Sequence, residues 1–186
     1  GVNALDLLAN RTLDAWKLPK SGIAHWSFAN DRIIGKTGDK KLKKPEWLYS
    51  KKRFSNFEFT CELKLTGDER ANTGIYYRVT TFNFKNKQNG IQYEAPSGYE
   101  YDAAFHNPKK KNNWGSLGNW YARPSLRIYP DQTTIKKYYN PTEWNRLTIR
   151  ARGNRLEYWL NGNKILDFVD NDAKAAKEGN IGIQLH

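Results

Sequence analysis

Residues 147–168 decide the fold, and they read LTIRARGNRLEYWLNGNKILDF. Apolar and polar residues alternate over positions 147–152, which is the period of a strand with one buried face. Gly153 separates this strand from a second one over 154–160, and the dipeptide at 161–162, Asn-Gly, is typical of a two-residue hairpin turn. Residues 164–168 supply the return strand. The segment therefore predicts three consecutive antiparallel strands.

The period of two recurs along the rest of the chain. Further strands are predicted over 57–65, 74–80, 98–105 and 181–186, with Gly, Pro and Asn between them. Short strands at intervals of about 8–15 residues are typical of a sandwich or barrel. Helix signals are confined to 5–9 and 172–178, so we expect less than about 15% helix. We predict an all-β, antiparallel two-sheet jelly-roll sandwich, with residues 1–186 forming a single domain.

The charge balance of the chain limits its partners. Lys and Arg number 31 against 19 Asp and Glu, a net charge of +12 at pH 7. Such a balance permits nucleic acid, anionic polysaccharide or acidic membrane surfaces as partners. The lysines are scattered among turn-rich segments, at 40–44 and 109–111, and no helix gathers them on one face. We therefore expect a lysine-rich surface and no nucleic-acid partner.

Neither a membrane span nor a disulfide is indicated. No apolar run approaches the roughly 20 residues that a membrane helix needs. Cys61 is the single cysteine and alternates with polar residues in its strand, so we expect it to face the core. The chain opens on Gly1 and contains no Met. We interpret this as a trimmed chain and expect a secreted or periplasmic bacterial protein, with a lipid anchor left open.

Six short motifs occur in order along the chain. They are NTGIYYR at 72–78, GYEYD at 98–102, GSLGNWY at 115–121, EWN at 143–145, WLNG at 159–162 and GNIGIQLH at 179–186. In this order, the motifs make the chain resemble the 3-keto-disaccharide hydrolase domain family over residues 16–186. The resemblance implies a concanavalin A-like lectin/glucanase jelly roll that acts on glycosidic bonds.

Three positions depart from the family pattern. Thr73 stands where the family usually has Ser, Asp102 where it usually has Gln, and Phe105 where it usually has Asp. The family's Glu of the Gly-x-Glu strand falls on Glu100. The resemblance therefore implies a role as general acid or base for Glu100 and leaves the role of Asp102 open.

Strand alternation sorts the polar candidates into pairs. In three strands, the residues that alternate with a core-facing apolar set share the opposite face. The pairs are Tyr76 with Arg78, Glu100 with Asp102, and Gln184 with His186. If the strands are neighbours, these side chains converge on the concave face of the jelly roll, with Tyr76 at its rim. Polar groups on such a face either form a network or hold a polar ligand.

The carboxylate pair is the candidate catalytic centre. Glu100 and Asp102 lie two residues apart, roughly 6.5–7 Å between Cα atoms. Repulsion between them raises one pKa and leaves a proton donor beside a base, as glycoside cleavage requires. Arg78 could hold one carboxylate ionised, and His186 could act as an acid, a base or a metal ligand. A purely structural role stays open for each.

Aromatic residues complete the candidate site. Trp120 and Tyr121 are predicted to bind substrate together with Tyr76 and Gln184, because ring faces stack on pyranose sugars; core packing is the alternative. His106, in the loop after the Glu100 strand, suggests a divalent cation, and the cofactor is otherwise unknown.

Two functions follow from the sequence. The first is a carbohydrate-active hydrolase cleaving glycosidic bonds, including those of 3-keto-glycosides, in which the ketone acidifies the neighbouring C–H. The alternative is a non-catalytic, lectin-like carbohydrate-binding module, since jelly rolls serve both purposes. A carbohydrate partner is expected in either case, and the oligomeric state stays open.

Overall fold

Antiparallel strands are the main regular structure of the computed structural model, which describes residues 4–20, 25–68, 70–104 and 112–186. The strands are β1 (Trp16–Lys17), β2 (Trp26–Ala29), β3 (Arg32–Gly35), β4 (Glu46–Phe54), β5 (Phe57–Leu63), β6 (Gly74–Val79), β7 (Thr81–Lys85), β8 (Gln92–Pro96), β9 (Tyr99–Asp102), β10 (Leu117–Gly118), β11 (Arg127–Ile128), β12 (Asn145–Arg152), β13 (Arg155–Leu160), β14 (Asn163–Val169) and β15 (Gly179–Leu185). A 3-10 turn covers Ala9–Arg11, and one helix, α1, covers Gln132–Tyr138. With 46% strand and 6% helix, the all-β prediction is confirmed.

Two sheets form the sandwich. The larger has seven strands in the order β1-β4-β15-β6-β9-β10-β11, and the smaller has four in the order β14-β13-β12-β5. The three strands expected from residues 147–168 are β12, β13 and β14, which pair antiparallel as predicted. Two further hairpins, β2–β3 and β7–β8, lie outside these sheets.

The register of the seven-stranded sheet separates its two faces. Ile75 pairs with Tyr101, and both side chains lie in the core between the sheets. One residue further on, Tyr76 pairs with Glu100, which in turn pairs with Gly118 on β10. Because successive strand residues point to opposite faces, this second row lies on the outer face of the seven-stranded sheet.

An aromatic cluster covers part of that outer face. The Tyr93 ring, from the β7–β8 hairpin, stacks over Trp47 with ring centroids 6.2 Å apart. Tyr121 meets the same Trp47 edge-on at 5.5 Å, and Phe84 meets Tyr121 at 5.0 Å. We call Trp47, Phe84, Tyr93 and Tyr121 the aromatic roof. The hairpin is thus packed onto the sheet by ring contacts.

The helix predictions were less accurate than the strand predictions. The segment 172–178 is not helical; it forms turns in which the Asp172 carboxylate accepts the N–H of Lys174. The α-helix lies instead over Gln132–Tyr138, where Asp131 caps the Thr133 N–H and Ile135 is buried. The sequence marks the start of this helix with a single capping residue, Asp131. One capping residue is too weak a signal to predict a helix in a chain whose other segments have the period of strands. Within the described residues, no helix has the length and apolar character to cross a membrane.

Candidate active site

Glu100 and Asp102 lie at the centre of the outer face, on β9. Their exposed fractions are 2% and 4%. The Glu100 side chain passes over Gly74 on the neighbouring strand, since a Cβ placed there would lie 3.0 Å from the Glu100 Cδ and closer still to its Oε1. The glycine of the first sequence motif is therefore a steric requirement for the position of this carboxyl.

Asp102 is held by a cation that the sequence did not single out. The Arg127 Nη2 donates to the Asp102 Oδ2 at 3.2 Å, and the Ala104 N–H donates to Oδ1 at 3.0 Å. The Arg127 guanidinium also lies 4.1 Å from the Trp120 ring centroid, as a cation–π contact. Arg127 belongs to a strand of two residues, too short for alternation to reveal. Only its pairing with Gly118 brings it to this face.

The two carboxyl groups have different proton affinities. Burial raises the pKa of Glu100 well above its ordinary value, and the charge of Asp102 adds to this, while Tyr76, Arg127 and Trp120 act in the opposite direction. Burial raises the pKa of Asp102 to about 6, against the lowering influence of Arg127. Burial thus favours the neutral form of both carboxyls, and the Arg127 guanidinium stabilises charge on Asp102, so Glu100 is the member of the pair that holds its proton more strongly.

Several buried polar atoms of the outer face have no hydrogen-bond partner among the described residues. They are the Trp47 Nε1, the Tyr49 hydroxyl, the Glu100 Oε2, the Gln184 Oε1, and the Arg127 Nε and Nη1. Buried polar groups are nearly always paired in folded proteins. A cluster of unpaired donors and acceptors on one face thus indicates a place for a polar ligand.

Trp47 and Tyr49 were missed by the sequence analysis. Both lie on β4, which no prediction covered, and their register partners are Gln184 and Gly182 on β15. The Tyr49 ring lies directly over Gly182, since a Cβ there would be 2.8 Å from two ring carbons. Glycines at the centre of this face therefore make room for large polar side chains.

Arg78 does not lie with the carboxylates, so its predicted place on their face is wrong. It is 2% exposed, and its guanidinium donates to the backbone carbonyls of Ser55, Gly153 and Ala176, at 2.8, 2.6 and 3.2 Å. These carbonyls lie at the end of the sandwich, away from Glu100. Arg78 acts there as a tie between three loops.

A β-bulge explains the error at Arg78. Tyr76 pairs with Gly182 and Val79 with Asn180, so two residues of β6 lie between these pairs where β15 has only one. Arg78 takes up the extra residue with a φ of 51°. A bulge breaks the period of two and redirects one side chain, and alternation cannot foresee it.

Gln184 and His186 occupy the far end of β15. Gln184 is 4% exposed, while His186 follows the strand as an exposed residue. Burial of part of the ring lowers the pKa of His186, and Lys41 adds to this. Both residues line a groove of about 1420 Å³ together with Thr73. Glu100 and Asp102 are not among the residues that line this groove.

The aromatic candidates divide between surface and interior. The Trp120 side chain is 45% exposed and stands at the edge of the site over Arg127. Tyr121 belongs to the aromatic roof. Tyr76 is not at the rim as predicted: it is 2% exposed and packs edge-on against Trp47 at 5.9 Å. Its burial follows from the roof, which could not be foreseen from β6.

The suggestion of a divalent cation finds no supporting cluster. His106 lies outside the described residues. Among the described ones, no group of three or more His, Cys, Asp or Glu side chains is placed to hold a metal ion.

Comparisons with known proteins agree with the motifs. A family model described as 3-keto-alpha-glucoside-1,2-lyase-like domain matches residues 4–186, which confirms the resemblance read from the sequence. A provisionally named glycosyl hydrolase from Parabacteroides distasonis ATCC 8503 has a similar fold, with a TM-score of 0.65, 20% identity, and coverage of 97% of this chain and 86% of that one. The carbohydrate-binding module CBM66 from Bacillus subtilis gives a TM-score of 0.48 at 15% identity, covering 95% and 89%. Among curated proteins, none matches the chain.

Proposed function

The chain belongs to the 3-keto-alpha-glucoside-1,2-lyase-like domain family, and on that premise we propose that it cleaves the glycosidic bond of 3-keto-glycosides. The site is the outer face of the seven-stranded sheet, with Glu100 and Asp102 as the proton-transfer pair. The observation that carries this proposal is a buried carboxyl pair in which a single arginine, Arg127, hydrogen-bonds only Asp102.

The reaction needs one base and one acid. The C3 ketone acidifies the C2–H, and removal of that proton gives an enolate with its charge on O3. The enolate re-forms the ketone as the C1=C2 double bond forms and the C1–O bond breaks. The departing aglycone oxygen takes up a proton. Addition of water across the C1=C2 bond then completes a net hydrolysis.

The residues of the site divide these tasks. Asp102, ionised at neutral pH, accepts the C2 proton, and Glu100, protonated, supplies the proton for the aglycone oxygen. The unpaired donors of the site, the Trp47 Nε1 and the Tyr49 hydroxyl, are available to an enolate oxygen. Donors fixed in a water-poor site stabilise such charge more strongly than water does.

A saccharide needs a platform as well as polar groups. The exposed Trp120 ring offers one. The other predicted binding residues do not form the platform, because Tyr76 and Tyr121 pack against Trp47 and Gln184 is buried. The same exposed ring supports a second candidate function, a module that binds a carbohydrate without cleaving it. The two functions differ in whether the carboxyl pair reacts.

The deciding experiment compares matched glycosides. Methyl and 4-nitrophenyl α-glucosides, each in ordinary and 3-keto form, are incubated with the protein. We expect cleavage of the keto forms only, with a primary isotope effect when C2 carries deuterium. Asp102→Asn is expected to lower turnover at least 100-fold on both leaving groups. Glu100→Gln is expected to do so on the methyl glycoside and much less on the nitrophenyl one, whose leaving group needs no acid.

The experiment has one control variant and two outcomes that would contradict the proposed cleavage of 3-keto-glycosides. Glu62 is an exposed strand carboxylate on β5, and Glu62→Gln should leave turnover unchanged. Saccharide binding without any product would establish the binding module instead. Equal cleavage of ordinary and keto glycosides, without an isotope effect at C2, would replace elimination by direct hydrolysis.

A further inference from the structure

A second cavity, of about 400 Å³, adjoins the loop that carries Trp120 and Tyr121. Asn119 and Ala122, which flank these two aromatic residues, are in its wall. Its charged lining consists of Arg53, Arg78, Arg123, Lys174, Lys177 and Glu178. We call this cavity the basic pocket. Its volume falls within the range of small-molecule sites, about 300–1,000 Å³.

Most of the positive charge in the basic pocket is not neutralised. Arg123 is paired with Asp170 at 2.6 Å and lies 3.5 Å from Asp172. Arg53 donates only to neutral oxygens, those of Asn180, Thr80 and Val79, at 3.0, 3.2 and 3.3 Å.

The two lysines of the pocket add further unpaired charge. Within the part of the chain that the structure describes, no ion pair involves Lys174, Lys177 or Arg53. Together with Arg78, these three residues give the pocket lining four cations without a carboxylate partner among the described residues, whereas its single carboxylate is that of Glu178.

Arg78 adds a buried cation to this set. All its hydrogen bonds go to carbonyl or amide oxygens, and within the described residues no carboxylate pairs with it. A buried charge is normally paired, because leaving water is unfavourable for an ion. The bulge that directs Arg78 here is itself strained, since a φ of 51° is disfavoured for a residue with a side chain.

Two glycines make this strained geometry fit. A Cβ on Gly98 or on Gly179 would collide with the backbone of the bulge at Arg78. One positively charged wall of the basic pocket thus depends on a bulge, two glycines and a buried arginine. A structural tie between loops could be made without leaving that charge unbalanced.

We propose that the basic pocket binds an anionic substituent (a sulfate, a phosphate or a carboxylate) carried by the saccharide that docks on the outer face. The loop 119–123 connects the two places, because Trp120 and Tyr121 reach the outer face while Asn119 and Ala122 line the pocket. Arg78 supplies charge from below, and Lys174, Lys177 and Arg53 supply free N–H donors at the mouth. The saccharide part rests on the proposed function, whereas binding of the anion does not.

The first test uses inorganic sulfate alone. Sodium sulfate is titrated into the protein at constant ionic strength, and binding is followed by calorimetry and by the amide signals of Gly98 and Ala176. The double variant Lys174→Gln/Lys177→Gln should weaken binding about tenfold. The control Lys136→Gln/Lys137→Gln removes two exposed lysines from α1 and should leave affinity unchanged. An equal loss in both variants, or no perturbation of the two amides, overturns the proposal.

The second test joins the anion to a sugar. Maltotetraose and a sulfated maltotetraose are compared for binding to wild type, to the lysine double variant and to the exposed control Glu62→Gln. We expect the sulfated form to bind at least tenfold more tightly than either maltotetraose or sulfate, and to lose this advantage in the lysine variant only. If it binds no better than inorganic sulfate, the pocket serves a free oxyanion and the proposal is wrong. Because neither measurement needs turnover, a failure of the catalytic proposal would leave both results interpretable.

Discussion

Gly74→Ala displaces the carboxyl of Glu100 without changing its chemistry. The backbone at Gly74 lies outside the left-handed region, so alanine meets no conformational penalty there. Its Cβ, however, would lie 3.0 Å from both the Cγ and the Cδ of Glu100, and Oε1 would be closer still. Ordinary contacts between such atoms begin near 3.5 Å. The carboxyl must therefore move by about 0.5–1 Å.

The expected magnitudes follow from that displacement. A misplacement of about 1 Å can lower turnover 100-fold, so we expect a fall in kcat of about 10- to 100-fold. The cost of overpacking, about 1–3 kcal/mol, is partly offset by the 0.4–1 kcal/mol or so that replacing glycine gains in the unfolded chain. The net loss of about 1–2 kcal/mol would lower Tm by about 2–8 °C in a chain of this length.

Turnover of a methyl 3-keto-α-glucoside and thermal unfolding are measured together. Gly38→Ala is the control, because a Cβ at Gly38 would meet nothing within 4 Å, while its φ of 76° makes alanine destabilising. It should lower Tm and leave kcat unchanged. If Gly74→Ala retains full kcat with the lower Tm, the position of Glu100 does not matter to the reaction and its role as acid is wrong.

Three further predictions concern the folded state. Burial raises the pKa of both Glu100 and Asp102 above their unfolded values, so the folded chain holds protons that the unfolded chain releases. The free energy of unfolding should therefore fall as the pH rises from about 4 towards 8. Urea denaturation at several pH values should show a smaller fall for Glu100→Gln than for wild type. Asp170→Asn removes a buried carboxylate from its pair with Arg123 and leaves that arginine only Asp172, at 3.5 Å. It should reduce the free energy of unfolding by about 3 kcal/mol, against less than about 1 kcal/mol for the more exposed Asp167→Asn. Since burial raises the pKa of the Cys61 thiol to about 12, the native protein should not react with a disulfide reagent at pH 8, whereas the chain unfolded in urea should.

The strands that could be predicted are those with one continuous apolar face. β12, β13 and β14 appear where alternation places them, and so does β15. β4 escaped because residues 50–53, Ser-Lys-Lys-Arg, put four polar residues in succession. Its polar half still pairs with β15 through backbone hydrogen bonds. Such bonds do not depend on the side chains, so the side-chain pattern cannot reveal them.

The candidate site divides in the same way. Glu100 and Asp102 share a face because they are two residues apart on one regular strand, which is local information. Arg127 and Trp47 reach that face through strand pairings distant in sequence. The cation and the free donors of the site could therefore be identified only from the folded chain.

The absence of Arg78 from the carboxyl pair bears directly on its chemistry. A second arginine beside Glu100 would favour its ionised form, and both carboxyls would then be charged at neutral pH. With Arg127 bonded to Asp102 alone, the two environments differ, and the neutral form is favoured more strongly at Glu100 than at Asp102. In the proposed mechanism, the bulge at Arg78 keeps a second cation away from Glu100, and it directs that cation to the basic pocket for which we propose an anionic ligand.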